Sequence, residues 1–128
     1  MDKNNFFVKD EIKEADVLGH KFKFKAVNAD DELNWIEEYR EEKVVKDKEG
    51  NEKVIFKENL AKLAKCKLRN IVEVPFSREE LKGISCLDKE FKDYTNEDKD
   101  KLFGQLSPDI MSRLIKIVDS TRTNQKKS

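Results

Sequence analysis

Glycine is scarce in this chain. It occurs four times in 128 residues and never in a cluster, so no loop is built to wrap a phosphate with backbone amides. Cysteine occurs only at Cys66 and Cys86, too few for a disulfide scaffold and suited to a reducing compartment. One histidine, His20, and two distant cysteines do not make a zinc-ligand set. Charge of one sign is absent too: 27 basic residues balance 27 acidic ones, which argues against blanket neutralisation of nucleic-acid phosphates. No run approaches the roughly 20 apolar residues of a membrane span. The start, Met1-Asp2-Lys3-Asn4-Asn5, lacks the apolar stretch of a secretory signal, so a cytoplasmic location is expected.

The chemistry-bearing residues that do occur are thinly spread. His20 precedes a strand and reads as a surface residue rather than a general base. Cys66 lies between Lys65 and Lys67, which could depress its pKa, but a small buried hydrophobe is the commoner role for it and for Cys86. Asp30/Asp31 and Glu79/Glu80 are explained by the electrostatics of helix starts. The spacing Asp47, Glu49, Asn51, Glu58 resembles a calcium loop, yet position six is Glu52 where that loop needs glycine. The expectation is a non-enzyme with no catalytic, metal-binding or cofactor-binding residues.

What the chain has is charge, 42% of its residues, with 37% hydrophobic, enough for one modest core. The charges are polarised. Residues 1–42 carry 12 acids and 7 bases (net −5), and residues 43–72 carry 9 bases and 4 acids (net +5). Such polarity suits a partner-binding or self-associating surface, and equally an attraction between the two parts of one molecule.

Residues 1–19 read as an N-terminal entry segment. Phe6, Phe7, Val8 and Ile12 could dock on a core, while the acid and lysine density fits a flexible stretch. His20 to Ala26 alternates basic and apolar side chains, which puts Phe22, Phe24 and Ala26 on one face of a strand over 20–27. Asn28 or Asp30 can cap a helix that ends near Glu42. Val44-Val45 and Val54-Ile55-Phe56 bracket Asp47 to Asn51, so a hairpin over 43–56 is expected, with Gly50 or Asn51 left-handed. Leu60, Leu63, Ala64, Leu68, Ile71 and Val72 predict a helix over 58–72 that Pro75 stops. Ser77-Arg78-Glu79-Glu80 is a capping box. Thr95 or Asn96 caps a further helix, and Ser107-Pro108-Asp109 opens the last one, with Ile110, Met111, Leu114, Ile117 and Val118 on one face.

The fold class expected is therefore α+β. It is a predominantly helical single domain over 20–121, with one small antiparallel sheet from strand 20–27 and hairpin 43–56, and a C-terminal helical hairpin. Residues 122–128 form a disordered polar tail.

In order, these features resemble the small tail assembly chaperones of tailed phages and prophages. The resemblance runs from Gly19 to Leu87. It begins with Phe22-Lys23-Phe24-Lys25-Ala26-Val27 and the acidic Asn28-Ala29-Asp30-Asp31-Glu32, then a charged middle containing Asp47-Lys48-Glu49-Gly50-Asn51. Leu60-Ala61-Lys62-Leu63-Ala64-Lys65-Cys66, Val74-Pro75-Phe76 and Ser77-Arg78-Glu79-Glu80-Leu81 complete it. This is an order of features rather than a fingerprint.

The resemblance implies a cytoplasmic, non-virion helper that escorts the tape measure protein and recruits tail-tube subunits, with a homo-oligomer as one form. Trp35, Tyr39, Phe91 and Tyr94 are the expected recognition edge, because aromatics give large contact area at low entropic cost. Leu114 and Ile117 on the last amphipathic helix, and the face of 58–72, are further candidates, although their alternative role is the domain's own core. Two other readings stay open. One is a structural or adaptor protein of the tail or head–tail region. The other is a small nucleic-acid-binding regulator using Lys62, Lys65 and Arg69, opposed by the acidic first third and the balanced charge.

Overall fold

The computed structural model describes residues 6–8 and 11–122. Strands β1 (Ile12–Val17) and β2 (His20–Lys25) form an antiparallel hairpin in which Val17 faces His20. The two residues between them, Leu18 and Gly19, both have positive φ (52° and 82°), as a type I′ turn demands. The segment expected to be a flexible entry thus supplies an edge strand. Its apolar residues largely stay outside: Phe6, Phe7 and Ile12 are exposed, and only Val17 is buried. The polar residues 123–128 lie outside the described residues.

Alternation along β2 does what it predicts, burying Phe22 and Phe24 and turning its lysines outward. Asn28 then caps helix α1 (Ala29–Tyr39): its side chain accepts from the Asp31 N–H, and the Asp31 carboxylate accepts from the Asn28 N–H. The chain passes directly into β3 (Arg40–Lys46) and returns as β4 (Glu52–Glu58). Asp47 Oδ1 accepts the Glu49 and Asn51 N–H groups, both at 2.9 Å, and Gly50 takes φ 83°, which closes the turn.

Helix α2 (Leu60–Leu68) is capped by Asn59 and is shorter than the helix expected over 58–72. Ile71 and Val72 belong to strand β5 (Ile71–Glu73), which pairs antiparallel with the second edge of β2. Two β-branched residues gain more from a ladder beside Phe24 than from another helical turn. The strand over 20–27 accordingly belongs to a three-stranded sheet ordered β1-β2-β5, and the 40–58 hairpin is a separate two-stranded sheet. The single sheet expected from 20–27 and 43–56 is replaced by these two. The α+β class holds.

Ser77 and Glu80 form the expected capping box of helix α3 (Arg78–Ser85). A single 3₁₀ turn (Phe91–Asp93) precedes α4 (Asn96–Phe103) and α5 (Pro108–Arg122). Thr95 caps α4 with the Asp98 side chain in return, and Ser107 precedes Pro108 at the first position of α5.

The core lies between the three-stranded sheet and the helices. Phe24, Leu68, Ile71, Leu81, Leu114 and Val118 are its fully buried centre. Aromatic edges close it, with Phe91 against Tyr94 and Phe103 at ring-centroid distances of 5.1 and 6.1 Å. Lys99 reaches inward to donate to the Arg69 and Ile71 carbonyls at 3.0 and 2.8 Å, which ties α4 to the junction of α2 and β5. Burial without a carboxylate partner lowers its pKa.

Candidate functional site

The residues expected to form a recognition edge are mostly interior. Trp35, Phe91, Tyr94 and Leu114 are buried, and Tyr39 and Ile117 pack half-buried against the same core. The apolar faces of α2 and α5 likewise close on the domain rather than on a partner: Cys66, Leu68, Leu114 and Val118 are all buried. Large aromatics are the most effective material for a small core, and a 128-residue chain with eight Phe and one Trp commits most of them inward.

The basic stripe is also spoken for. Lys62 pairs with Glu41 at 3.3 Å. Arg69 is held on two sides: Nη1 donates to Glu38 at 2.6 Å, while Nε and Nη2 donate to Asp100 at 3.0 and 2.6 Å. Asp100, and then Glu38, raise Arg69 still further above its ordinary pKa. Lys65 alone of the three has no ion pair among the described residues. One free lysine is a poor phosphate grip.

Around Arg69 lies an open cleft of about 590 Å³ that Lys25, Asp31, Trp35, Glu38 and Asn70 also line. Most of its charges satisfy one another. Lys25 and Asn70 donate to Asp31 at 2.8 and 3.2 Å, and the Cys66 thiol donates to Glu38 at 3.1 Å. Burial, reinforced by the Glu38 carboxylate, pushes that thiol up to about 12, opposite to the lowering its flanking lysines could bring. Cys66 is the small buried residue expected. Cys86 is not: it is exposed and caps α3 in the left-handed conformation. Among the described residues no three His, Cys, Asp or Glu side chains are placed to hold a metal ion, and no helix there is long and apolar enough to cross a membrane.

Exposed apolar side chains such as Leu33 and Leu60 are scattered over the surface, but the β3–β4 ribbon gathers several together. Its register sets Val44 opposite Val54 and Glu42 opposite Phe56, so Val44, Val54 and Phe56 share one face. They are 60%, 58% and 61% exposed. On the other face Ile55 is also exposed. Arg40 stacks its guanidinium 5.7 Å from the Phe56 ring centre. The base of the ribbon is anchored: the Asn59 N–H donates to the Tyr39 carbonyl at 2.7 Å, and Asn59 Nδ2 to Glu41 at 3.1 Å. A two-stranded ribbon with bare apolar faces is marginal by itself and is a ready surface for a partner.

The sequence carried one signal for this. Val54-Ile55-Phe56 is continuous, so in a strand its members must point both ways. With no second layer on either side, such a run ends in solvent. No family model, curated protein or solved structure matches this chain.

Proposed function

We propose that this protein is a binding partner for other polypeptides, acting without making or breaking bonds, and that its working surface is the β3–β4 ribbon. The observation that carries the reading is the apolar triad Val44, Val54 and Phe56, each more than half exposed on a hairpin that pairs with no further strand among the described residues. An extended or helical segment laid across that face would bury the triad and stiffen the ribbon. The ionic cleft around Arg69 is a weaker candidate, since Arg69 itself is already matched by Glu38 and Asp100.

Within that class, the order of features from Gly19 to Leu87 supports a tail assembly chaperone of a phage or prophage. The clients would then be the tape measure protein and tail-tube subunits. An aggregation-prone helical client needs a reversible apolar grip of this kind.

The test is a pull-down of the tape measure and tail-tube proteins encoded by flanking genes, using the wild-type chain and the V54D/F56D variant. Retention by the wild type, lost more than about tenfold in the variant, is expected because the ribbon supplies the apolar contacts at the centre of the grip. Equal retention by both proteins would overturn the ribbon as the working surface. Mass spectrometry of purified particles then separates a helper, absent from the virion, from an adaptor incorporated in it.

A further inference from the structure

We propose that a second copy of this chain pairs with the free edge of β3, in antiparallel register about Val44, to make a four-stranded sheet across a two-fold axis. This goes beyond client binding and stands without it.

Main-chain valence leaves the outer edge of β3 open. The Asn59 N–H bonds the Tyr39 carbonyl and the Asp47 N–H bonds the Asn51 carbonyl, at 2.7 and 2.9 Å. With the register of the ribbon, this turns the odd-numbered residues of β3 toward β4. Glu42, Val44 and Lys46 therefore aim their N–H and C=O groups at the outer edge, where no strand among the described residues neighbours the two-stranded sheet. An open edge of this kind is a template for another strand.

Charge and strand length together favour this edge and this register. A two-fold pair of β3 strands centred on Val44 places Val44 beside its own copy. Within β3 it also sets Glu42 opposite Lys46 on both sides of the axis, the like-charged pairs Glu41–Asp47 and Arg40–Lys48 falling past the strand's end at Lys46. The three outward-facing residues then exchange about six interchain N–H···O=C bonds. Centring on Lys43 instead opposes Lys43 to itself and Arg40 to Lys46, centring on Glu42 opposes Glu42 to itself, and centring on Val45 leaves only residues 44–46 of the strand paired.

The β4 edge has no such solution. Paired about Ile55, it sets Glu52 against Glu58 and Lys53 against Lys57. Paired about Val54 or Phe56, it brings no opposite charges together. Glu41, on the other face of β3, is already engaged by Lys62 and Asn59, whereas Glu42 and Lys46 have no ion pair among the described residues.

Because the axis runs normal to the sheet, the Val44, Val54 and Phe56 faces of both copies come to lie on the same side. Two small apolar patches become one continuous stripe.

Analytical ultracentrifugation of the full chain over a range of concentrations tests this with a charge swap. The wild type is expected to dimerise. E42K and K46E should each weaken the dimer about tenfold, since each puts like charges opposite twice per dimer. The double variant E42K/K46E should recover it, and an equimolar mixture of the two single variants should form a mixed dimer. Amide exchange keeps the test independent of folding: Val44 should be protected in the dimer and exchange freely in E42K, while Lys43 and Val45 stay protected in both. A wild type that remains monomeric at every concentration overturns the proposal. So does a dimer that the single swaps leave intact.

Discussion

Thr121 Oγ1 accepts the Val27 N–H at 3.1 Å and donates to the Val118 carbonyl at 2.7 Å, and the whole arrangement is buried. Ninety-four positions separate the two residues in sequence. One hydroxyl therefore fastens the last turn of α5 to the exit of β2, where the chain leaves the sheet and before Asn28 caps the next helix. Thr121→Val keeps the shape and removes the acceptor, stranding a buried N–H. The expected cost is about 1–3 kcal/mol in urea unfolding. Thr121→Ser should retain most of the stability, and loss of the Val27 amide's exchange protection in T121V alone would locate the defect.

How much of this was legible beforehand depends on whether a feature was local. Helix caps at Asn28, Ser77 and Thr95, the alternation through Phe22 and Phe24, and the Asp47–Asn51 turn could each be read from neighbours within a few residues, because short-range hydrogen bonds and side-chain period fix them. Strand partners could not. Ile12–Val17 looks charged and aimless until Leu18-Gly19 folds it onto β2, and a Leu in a type I′ turn is a weak signal beside Asn-Gly. Ile71-Val72 continues the apolar period of α2, and only contact with Phe24 tells strand from helix. Which aromatics are exposed was illegible for the same reason: Trp35 and Phe56 both stand among apolar neighbours in sequence, and which one is covered depends on tertiary packing.

Arg69 ties three helices together. Its planar fork meets Asp100 with two parallel bonds and leaves Nη1 for Glu38, joining α1, α2 and α4. Arg69→Ala should cost about 2–3 kcal/mol, since it breaks charge-assisted bonds at a site only 19% exposed. Arg69→Lys, carrying the same charge without the fork, should recover less than half of that. A double-mutant cycle with Asp100→Asn measures the coupling directly.

Acid should loosen the molecule through Asp31. Its partial burial pushes the carboxyl up, but Lys25, the Asn28 N–H and Asn70 together outweigh this and hold it below the ordinary carboxylate range. A lowered folded-state pKa means that the unfolded chain binds the proton first. The stabilisation is therefore complete above the unfolded-state value and disappears as pH falls through the lower folded-state value. Urea midpoints measured from neutral pH down through the carboxylate range should fall more steeply for the wild type than for Asp31→Asn, and the two curves should converge at the acid end.

Two side chains sit where the backbone prefers none. Cys86 ends α3 with φ 62°, and Leu18 takes φ 52° while 69% exposed. Cys86→Gly and Leu18→Asn should each raise stability by about 0.5–1 kcal/mol, relieving left-handed strain at a helix end and in a two-residue turn. Thermal melts of the single and double variants check this. The sites lie on separate elements, so their effects should add.

Stability and binding should separate along the division between covered and bare apolar residues. Leu114 is wholly buried, so Leu114→Ala removes core contacts and leaves a cavity, at a cost of about 2–5 kcal/mol. Trp35→Ala should fall at the upper end of that range, since a ring only 7% exposed leaves the larger void. Val54→Ala and Phe56→Ala lie on a ribbon exposed on that face and should change stability by less than about 0.5 kcal/mol. Client retention should run the other way. Reduced to a temperature at which all four proteins are folded, the Leu114 and Trp35 variants should bind as the wild type does, while the Val54 and Phe56 variants should not. A Trp35 variant that stays folded yet loses the client would move the working surface from the ribbon to the cleft beside α1.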